Sequence, residues 1–444
     1  MTISDLVAEL HLEGLIAELG ARAEARVGKP ANLIDINSDG HVIAVLDLSD
    51  ISQARGALMT LRGDIRARAA RPTGGATGEA VLDHAAAVLA SLMDQVGEAR
   101  LLGVGVAAPG VVRPDGLVIY AKDYEWHQVA LPSLLRDRLR RSLLGGLPGG
   151  ALAGSRGVSR QRPDQAEAAA EAPTAAAAET PIFVGNDANL RALAEFTFAG
   201  AGAQGLMEVS LTDGLGAGIL LDGVLLLGPS YAAGEIGHIP AMAGGEPCTC
   251  GRRGCLETVL NRRVLGGGEP AQTQARQETG VDAQAADDHK LVAGDWGEVA
   301  RHHQSADAGL AAGGGEPTRP ERPSADAALA VSGQPIPPET PAATLVAAAP
   351  PAATLEAATL ARIGESTAAV LGPIVSAFNL SDLVFADPRG LVTPEVLAAI
   401  RSGLEARLLP QIMADLDVRL SKLGADAALL GAGSLVLAER LGLS

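Results

Sequence analysis

The chain has 444 residues and a formal net charge of −17 at pH 7. This length allows two or three domains with hydrophobic cores, and 47% apolar residues are typical of a globular body. The acidic charge excludes a main body that wraps nucleic acid, since phosphate contacts require a basic face.

The first twenty residues carry four acidic side chains and no basic stretch, which excludes the usual secretory signal. No uninterrupted apolar run is long enough to span a bilayer. We therefore expect a cytoplasmic protein without a membrane segment, in which thiols stay reduced.

The N-terminal segment has a helical pattern followed by a strand pattern. Apolar side chains recur at helical spacing over residues 2–14, and Gly14 closes the segment. Apolar runs at residues 15–19 and 29–36 then flank a polar, charged stretch. This order predicts a helix followed by a β-hairpin.

From His41 the pattern is typical of an α/β protein. Strand-like runs with apolar alternation are followed by segments with apolar residues at helical spacing. The predicted strands lie in residues 41–72, 101–112, 182–184 and 383–386, and the predicted helices in residues 79–96, 133–144, 355–380, 394–407 and 431–441.

Two segments interrupt this alternation, residues 145–180 and 266–350. Both are rich in Pro, Ala and Gly and have little apolar periodicity. We interpret them as insertions that are largely disordered or loosely helical.

All three cysteines lie within eight residues, at Cys248, Cys250 and Cys255. In a reducing compartment, such a cluster is more typical of a metal site than of disulfides. His238 lies ten residues upstream and completes a His/Cys₃ set, which is a common structural zinc site. The alternative is three inert buried thiols, but the polar, glycine-rich "TCGRRG" is a poor core segment. We therefore predict one structural zinc ion.

The chain resembles the ROK family, whose name joins repressors, open reading frames and sugar kinases. Its zinc motif, Cys-x-Cys-Gly-x-x-Gly-Cys-x-Glu, is matched from Cys248 to Glu257 without a gap. A glycine signature runs from Leu211 to His238, and "GNDANLRALAE" occupies residues 185–195. With "GVAAPG" further upstream, the resemblance covers most of the chain outside the two insertions.

The resemblance implies two α/β lobes of the actin-like ATPase type, with sugar bound in the cleft between them. The expected parts are a partial winged helix-turn-helix (1–36), an N-terminal lobe (37–144), a low-complexity insertion (145–180), a C-terminal lobe with the sugar and zinc motifs (181–265), a second insertion (266–350), and the rest of the C-terminal lobe with a closing helix (351–444).

The residues that match the family's sugar-binding positions are Asn186, Asp187, Glu235, His238 and Glu257. Carboxylates, an amide and an imidazole suit a ligand rich in hydroxyl groups, because each can accept or bridge O–H groups. Asp187 matches the general base of the family's kinases. The alternative for "NDAN" is an N-cap of the following helix.

The family's kinases open with an Asp-x-Gly-Gly-Thr loop that cradles phosphate. Here residues 47–51 are Asp-Leu-Ser-Asp-Ile, so Asp47 remains but both glycines and the threonine are replaced. The second glycine loop keeps Gly214, Gly216 and Gly218, which is weak evidence because turns need glycine anyway.

Two of the three nucleotide elements are therefore changed. Where the kinases carry a glycine pair against adenosine, this chain has Asp387 and Pro388. We expect a protein that keeps the sugar cleft and does not use ATP and Mg²⁺, as in the family's repressors.

The repressors carry an N-terminal winged helix-turn-helix. Residues 2–20 resemble its recognition helix and turn, and the following segment resembles its wing. The two preceding helices, which cover the recognition helix, are missing. Five acidic residues against three basic ones over residues 1–30 also disfavour a phosphate-facing element. We expect operator DNA binding only if those helices are encoded upstream.

Three functions remain open at this point. The first is a ROK-type regulator that binds a monosaccharide or sugar phosphate and is catalytically inactive. The second is an ATP-dependent, glucokinase-like sugar kinase that uses Asp187. The third is a sugar-binding protein without DNA binding. The resemblance further implies a homodimer or tetramer.

Overall fold

The structure is a computed structural model of the chain. The described residues are 3–21, 32–143, 180–201, 204–212, 214–265 and 355–442.

Tertiary contacts divide the chain into two units. One contains residues 1–270 and 349–444 and includes every described residue. The other, residues 271–348, lies outside the described residues. The two predicted insertions also lie outside them, apart from Thr180.

The N-terminal segment has the predicted helix and hairpin. Helix α1 (Ile3–Leu12) precedes strands β1 (Ile16–Ala21) and β2 (Asn32–Ile36), which pair antiparallel. No residue of α1 is buried. The junction is fixed instead by the buried Leu15, which packs in the core of the following lobe.

The first large sheet consists of β3 (His41–Asp47), β4 (Gln53–Met59), β5 (Ile65–Pro72), β6 (Arg100–Ala108) and β10 (Ile182–Asn186). The strand order is β10-β6-β3-β4-β5. Strands β10, β6 and β3 pair in parallel, β4 pairs antiparallel with β3, and β5 pairs antiparallel with β4.

Helices cover both faces of this sheet, as expected for parallel strands that are buried on two sides. Helices α2 (Ala80–Met93) and α3 (Leu131–Leu143) pack on one face. Helices α4 (Asp187–Phe198) and α10 (Ala427–Leu441) pack on the other.

The lobes therefore do not follow the predicted chain boundaries. Strand β10 was expected in the C-terminal lobe but extends the first sheet, because its backbone pairs in parallel with β6. The closing helix α10 also packs on the first sheet. A side chain at Gly105 of β6 would lie 2.1 Å from the carbonyl oxygen of Ala432, so this glycine permits the close approach.

A small antiparallel sheet, which the sequence patterns did not predict, follows β6. It consists of β7 (Val111–Val112), β8 (Leu117–Ala121) and β9 (Trp126–Ala130). A short 3₁₀ turn, Lys122–Tyr124, joins β8 to β9. Tyr124 and Trp126 are buried against the first lobe, so this turn is held firmly.

The second large sheet has the order β13-β12-β11-β14-β15. Its strands are β11 (Gly205–Leu211), β12 (Leu215–Leu221), β13 (Val224–Leu225), β14 (Asp382–Ala386) and β15 (Asp417–Leu420).

One face of this sheet forms the largest hydrophobic core with the second lobe's helices. These are α5 (Leu256–Val259), α6 (Arg262–Leu265), α7 (Ala357–Phe378), α8 (Pro394–Glu405) and α9 (Pro410–Asp415).

Helix α4 joins the two lobes. Leu190 packs in the core of the first sheet, and Ala192 packs with strands of the second sheet. Within the described residues, no helix combines the length and apolarity needed to cross a membrane.

Candidate functional site

The start of α4 places Asn186 and Asp187 at the junction of the lobes. The Oδ1 atom of Asn186 accepts a hydrogen bond from the backbone N–H of Asn189 at 3.0 Å, and its Nδ2 donates to the carbonyl of Gly110 at 2.8 Å. Asn186 is therefore the N-cap of α4, the alternative that the sequence left open. The same amide ties α4 to the loop after β6.

The carboxyl group of Asp187 is nearly enclosed, with its side chain 13% exposed. Its pKa is raised to about 6, mainly by burial and also by the charge of Asp47, while Arg191 opposes both effects. A carboxyl group with a pKa near neutrality can exchange a proton with a hydroxyl group at physiological pH.

Asp47 ends β3 and is completely buried. Its Oδ1 atom accepts hydrogen bonds from the backbone N–H of Ser49 at 2.9 Å and from the Ser49 hydroxyl at 2.6 Å. Its Oδ2 atom pairs with the guanidinium group of Arg55 on β4. Both carboxylate oxygens of Asp47 thus accept from donors of the chain itself.

Arg191 lies one helical turn after Asp187 and is 1% exposed. Its Nη2 donates to the Ser49 hydroxyl at 2.9 Å, and its Nε lies 3.9 Å from the Asp187 carboxylate. Its charge also lowers the pKa of Glu208 on β11. We call Asp47, Asp187, Glu208 and Arg191 the carboxylate cluster.

Glu208 is a fully buried acid in the middle of the second sheet. Its two oxygens lie 2.9 and 2.8 Å from the hydroxyl of Ser210. Burial raises its pKa to about 8, against the lowering effect of Arg191. Neither Glu208 nor Arg191 was predicted from the sequence as a site residue. The available signals were an acid inside the apolar run "GLMEVSL" and an arginine four residues after Asp187.

Of the three signature glycines, only Gly214 lies in the turn between β11 and β12. Gly216 and Gly218 are residues of β12. A Cβ atom at Gly218 would lie 2.5 Å from the carbonyl oxygen of Ala188, so this glycine lets β12 pack against the start of α4. Asp213 of this turn lies outside the described residues.

The segment after β14 is tied to the same turn. Arg389 donates from Nη1 to the carbonyl of Thr212 at 2.8 Å. Asp387 accepts hydrogen bonds from the backbone N–H groups of Arg389 and Val392, which fixes the loop. This arginine therefore joins the two loops that the resemblance assigned to the nucleotide.

A second group of polar residues, Glu235, His238 and Glu257, lies beside β12. The Nδ1 atom of His238 lies 3.5 Å from a carboxylate oxygen of Glu257. Burial raises the pKa of both Glu235 and Glu257, and His238 opposes this effect. Lys122 of the first lobe lowers the Glu257 pKa. The two lobes therefore both contribute charge around Glu257.

His238 also reaches the cysteines. We call His238, Cys248, Cys250 and Cys255 the thiol cluster, and one ligand atom from each lies within 4.8 Å of the others. The Sγ atom of Cys248 lies 3.5 Å from His238 Nδ1, and the Sγ atoms of Cys250 and Cys255 lie 3.6 Å apart. This cluster can hold a metal ion.

The loop that carries the cysteines depends on two left-handed glycines, Gly251 (φ +84°) and Gly254 (φ +69°). A Cβ atom at Gly254 would lie 1.8 Å from the carbonyl oxygen of Met242, so no other residue fits there without a shift of the backbone.

Residues 160–269 match the ROK family. The chain is similar to the ROK family in this segment. It is 32% identical over 164 residues to a glucokinase of Halalkalibacterium halodurans, covering 36% of this chain and 38% of that protein. It is 27% identical over 271 residues to a putative xylose repressor of a Caldicellulosiruptor species, covering 60% of this chain and 57% of that protein. The chain therefore spans less than two thirds of the length of either relative.

A crystal structure of a ROK family transcriptional regulator, a homologue of the E. coli MLC protein, has the same fold. The TM-score is 0.60 at 19% identity, and the match covers 99% of this chain and 89% of that one. This similarity confirms the predicted two-lobed α/β fold of the actin-like ATPase type.

Proposed function

We propose that the chain is a sugar-responsive transcriptional regulator of the ROK type that binds a sugar without phosphorylating it. The observation that carries this proposal is the state of Asp47. Its carboxylate is buried and engaged by Ser49 and Arg55, so it is poorly suited to a metal-bound triphosphate. Phosphoryl transfer depends almost entirely on positioning and charge neutralisation of that group.

The residues around Asp47 do not fit a magnesium nucleotide. Ser49 and Asp50 stand where a phosphate loop needs glycine N–H groups. Burial raises the pKa of Asp50, but hydrogen bonds from Ser52 and Gln53 outweigh this effect and lower the pKa, so Asp50 keeps its charge. Arg389 is tied to the carbonyl of Thr212, at the start of the second loop. The proposed function therefore does not involve ATP.

The ligand in this proposal is a monosaccharide or its phosphate. The hydroxyl groups of the sugar find hydrogen-bond acceptors and an imidazole in Asp187, Glu235, His238 and Glu257. Asn186, as the N-cap, fixes the start of the helix that carries Asp187. Because both lobes place charge around Glu257, a ligand there favours one arrangement of the lobes. Differential binding to two arrangements is how such a ligand would alter affinity for DNA.

We propose zinc as the ion of the thiol cluster. Ligand distances of about 2.0–2.3 Å around tetrahedral zinc separate neighbouring ligand atoms by roughly 3.3–3.8 Å. The sulfur–nitrogen distance of 3.5 Å and the sulfur–sulfur distance of 3.6 Å match this spacing. Three thiolates and one imidazole leave no open position, so the zinc is structural, and it orients His238 toward the sugar.

The DNA-binding part of the proposal rests on α1 and the β1–β2 hairpin as recognition helix and wing. The exposed Ile3, Leu6 and Leu12 on α1 are apolar surface of the kind that further helices cover. We propose operator binding for a protein that includes those helices, in the cytoplasm and as a homodimer or tetramer. Without them, the chain is a sugar-binding protein.

The second candidate is a sugar kinase, which one observation favours. Asp187 has a pKa of about 6, which suits the general base that takes the proton from an attacking hydroxyl. A general base contributes about 10²- to 10⁴-fold to a rate, far less than phosphoryl transfer requires.

An assay of ADP release with magnesium and ATP, across hexoses, hexosamines and pentoses, separates the two candidates. Calorimetry with the same sugars measures binding. We expect binding of at least one sugar and no turnover. Turnover of about one per second or more, in the ordinary range for kinases and abolished by Asp187→Asn, would establish the kinase instead.

A further inference from the structure

Arg191 lies 3.9 Å from the Asp187 carboxylate, donates a hydrogen bond to the Ser49 hydroxyl, and lowers the pKa of Glu208. It projects from α4, which contacts both lobes, and it is 1% exposed. An arginine keeps its charge at any pH that a folded protein tolerates. A permanent positive charge is therefore fixed inside the carboxylate cluster.

Two of its donor atoms lack partners. Among the described residues, nothing accepts a hydrogen bond from the buried Nε and Nη1 of Arg191. Hydrogen bonding to the Ser49 hydroxyl alone does not explain why the chain buries a guanidinium group, since unpartnered buried donors are costly. The charge of the group, rather than its hydrogen bonds, accounts for its place.

Asp47, Asp187 and Glu208 lie near enough for their charges to affect one another. Asp47 raises the pKa of Asp187, and Asp187 raises that of Glu208. Converging carboxylates in a dry site require a cation, and in proteins a divalent ion with oxygen ligands usually supplies it. Here that positive charge comes from the chain.

We propose that Arg191 is an internal cation that takes the place of a divalent metal ion in the carboxylate cluster. The inference rests on the proposed non-catalytic function and gives its physical cause. Arg191 compensates the charge of Asp187 and opposes the rise in the pKa of Glu208, and its hydrogen bond to Ser49 holds the β3–β4 turn against α4. A metal-bound phosphate then has neither the charge nor the space that it needs.

The test replaces the guanidinium group and supplies a metal. Arg191→Gln removes the charge, Arg191→Lys keeps it and serves as the matched control, and Mn²⁺ is the probe because it prefers oxygen ligands. Binding is measured on the zinc-loaded protein as the loss of the electron paramagnetic resonance signal of free Mn²⁺. Stability is measured as the melting temperature with and without Mn²⁺.

We expect no Mn²⁺ binding by the wild type or Arg191→Lys and one Mn²⁺ per chain for Arg191→Gln. At about 100 times the dissociation constant, Mn²⁺ should raise the melting temperature of Arg191→Gln by roughly 5 °C. Adding Glu208→Gln to this variant should weaken Mn²⁺ binding about tenfold or more.

Mn²⁺ binding of equal strength by wild type and Arg191→Gln would overturn the proposal, as would its absence in Arg191→Gln. If Arg191→Gln does not fold, the double variant Arg191→Gln/Asp187→Asn decides the question. It should recover much of the lost stability, because the uncompensated carboxylate is gone, and strictly additive losses would contradict the proposal.

These outcomes are separate from those of the proposed function. Sugar phosphorylation by a wild-type protein that binds no Mn²⁺ at the cluster would refute the regulator and the exclusion of a metal-bound phosphate, but Arg191 would remain the cation of the cluster. Binding of Mn²⁺ by the wild type without turnover would refute the role of Arg191 and leave the regulator intact.

Discussion

The thiol cluster and the carboxylate cluster differ in how their negative charge is balanced. The thiol cluster comes from one short segment, residues 238–255, whereas the carboxylate cluster gathers side chains from distant parts of the chain. The thiol cluster sits on a loop whose bends depend on glycines such as Gly254. The carboxylate cluster sits on β3, β11 and α4, inside both lobes.

The difference lies in where the compensating charge comes from. Beside the thiol cluster, the side chain of Arg252 hydrogen-bonds the exposed Cys250, whereas the buried Cys248 and Cys255 depend on an added ion. The carboxylate cluster contains Arg191 and borders Arg55. A site on a loop can bind its ion after the rest of the chain has folded. A site inside two packed lobes needs its charges compensated during folding, because unpaired buried charges are strongly destabilising.

The largest expected effect is the loss of the ion from the thiol cluster. Replacing Cys255, which is fully buried, by serine should reduce zinc to well below one per chain and cost on the order of 5 kcal/mol of folding free energy. Metal analysis and urea unfolding measure the two effects. Ser434→Ala, a change at another buried site, should keep the zinc. A variant without zinc but with wild-type stability would contradict the prediction.

The next effect is a pH dependence of stability that Glu208 gives to the carboxylate cluster. The pKa of Glu208 is about 8 in the folded protein, against 4.5 ordinarily. Between these values the folded state keeps a proton that the unfolded state has released, so this contribution to stability is complete below pH 4.5 and is lost as the pH rises toward 8. At about 1.4 kcal/mol per pKa unit, the loss is of order 3–5 kcal/mol.

Glu208→Gln removes the titrating group and should be the more stable protein at pH 9 by a few kcal/mol. At pH 4.5 the two proteins should be similar. Urea unfolding at both pH values measures the difference. Parallel pH profiles for variant and wild type would show that Glu208 does not titrate in this way.

A third effect would show that the thiol cluster also serves the ligand. If zinc orients His238, Cys250→Ser should weaken sugar binding about 10- to 100-fold, the usual cost of losing the support of a metal site. Cys250 is exposed, so its replacement disturbs packing less than that of Cys255. Calorimetry on folded protein is the measurement, with Ser434→Ala again as control. Unchanged sugar affinity in zinc-depleted protein would show that the thiol cluster does not affect ligand binding.

The smallest effect concerns Asp187, the member of the carboxylate cluster closest to solvent. With its pKa near 6, protonation below that value removes a charged acceptor from the sugar. Sugar affinity should therefore fall about tenfold from pH 7.5 to pH 5, in line with a single titrating group. Asp187→Asn should bind more weakly and lose this dependence. The same pH profile in the variant would assign it to Glu235 or Glu257.

Much of the fold could be predicted because its signals are local. The helix at Pro394–Glu405 and the strand at His41–Asp47 follow from apolar spacing, and the structure places both there. The lobe boundaries could not be predicted in this way. Strand β10 and helix α10 join the first sheet through pairing and packing with residues far away in the chain, which no local pattern records.

The same limit applies to the site. The thiol cluster lies within eighteen residues of sequence, and spacing alone predicts it. Arg191 acquires its role from Ser49, which is 142 positions away, and from Glu208 on another sheet. An arginine on a predicted helix would ordinarily face solvent, so its burial depends on tertiary structure.

The N-terminal hairpin is attached to the first lobe in part by exposed ion pairs. Arg62 pairs with Asp35 of β2, and Arg66 of β5 pairs with Asp39 in the turn that follows β2. Ionic strength screens such pairs, with a Debye length of about 10 Å at 0.1 M salt and about 3 Å at 1 M. The attachment of the hairpin and α1 to the lobe should therefore weaken as the salt concentration rises. Amide hydrogen exchange of β1 and β2 should then become faster, while the strands of both large sheets stay protected.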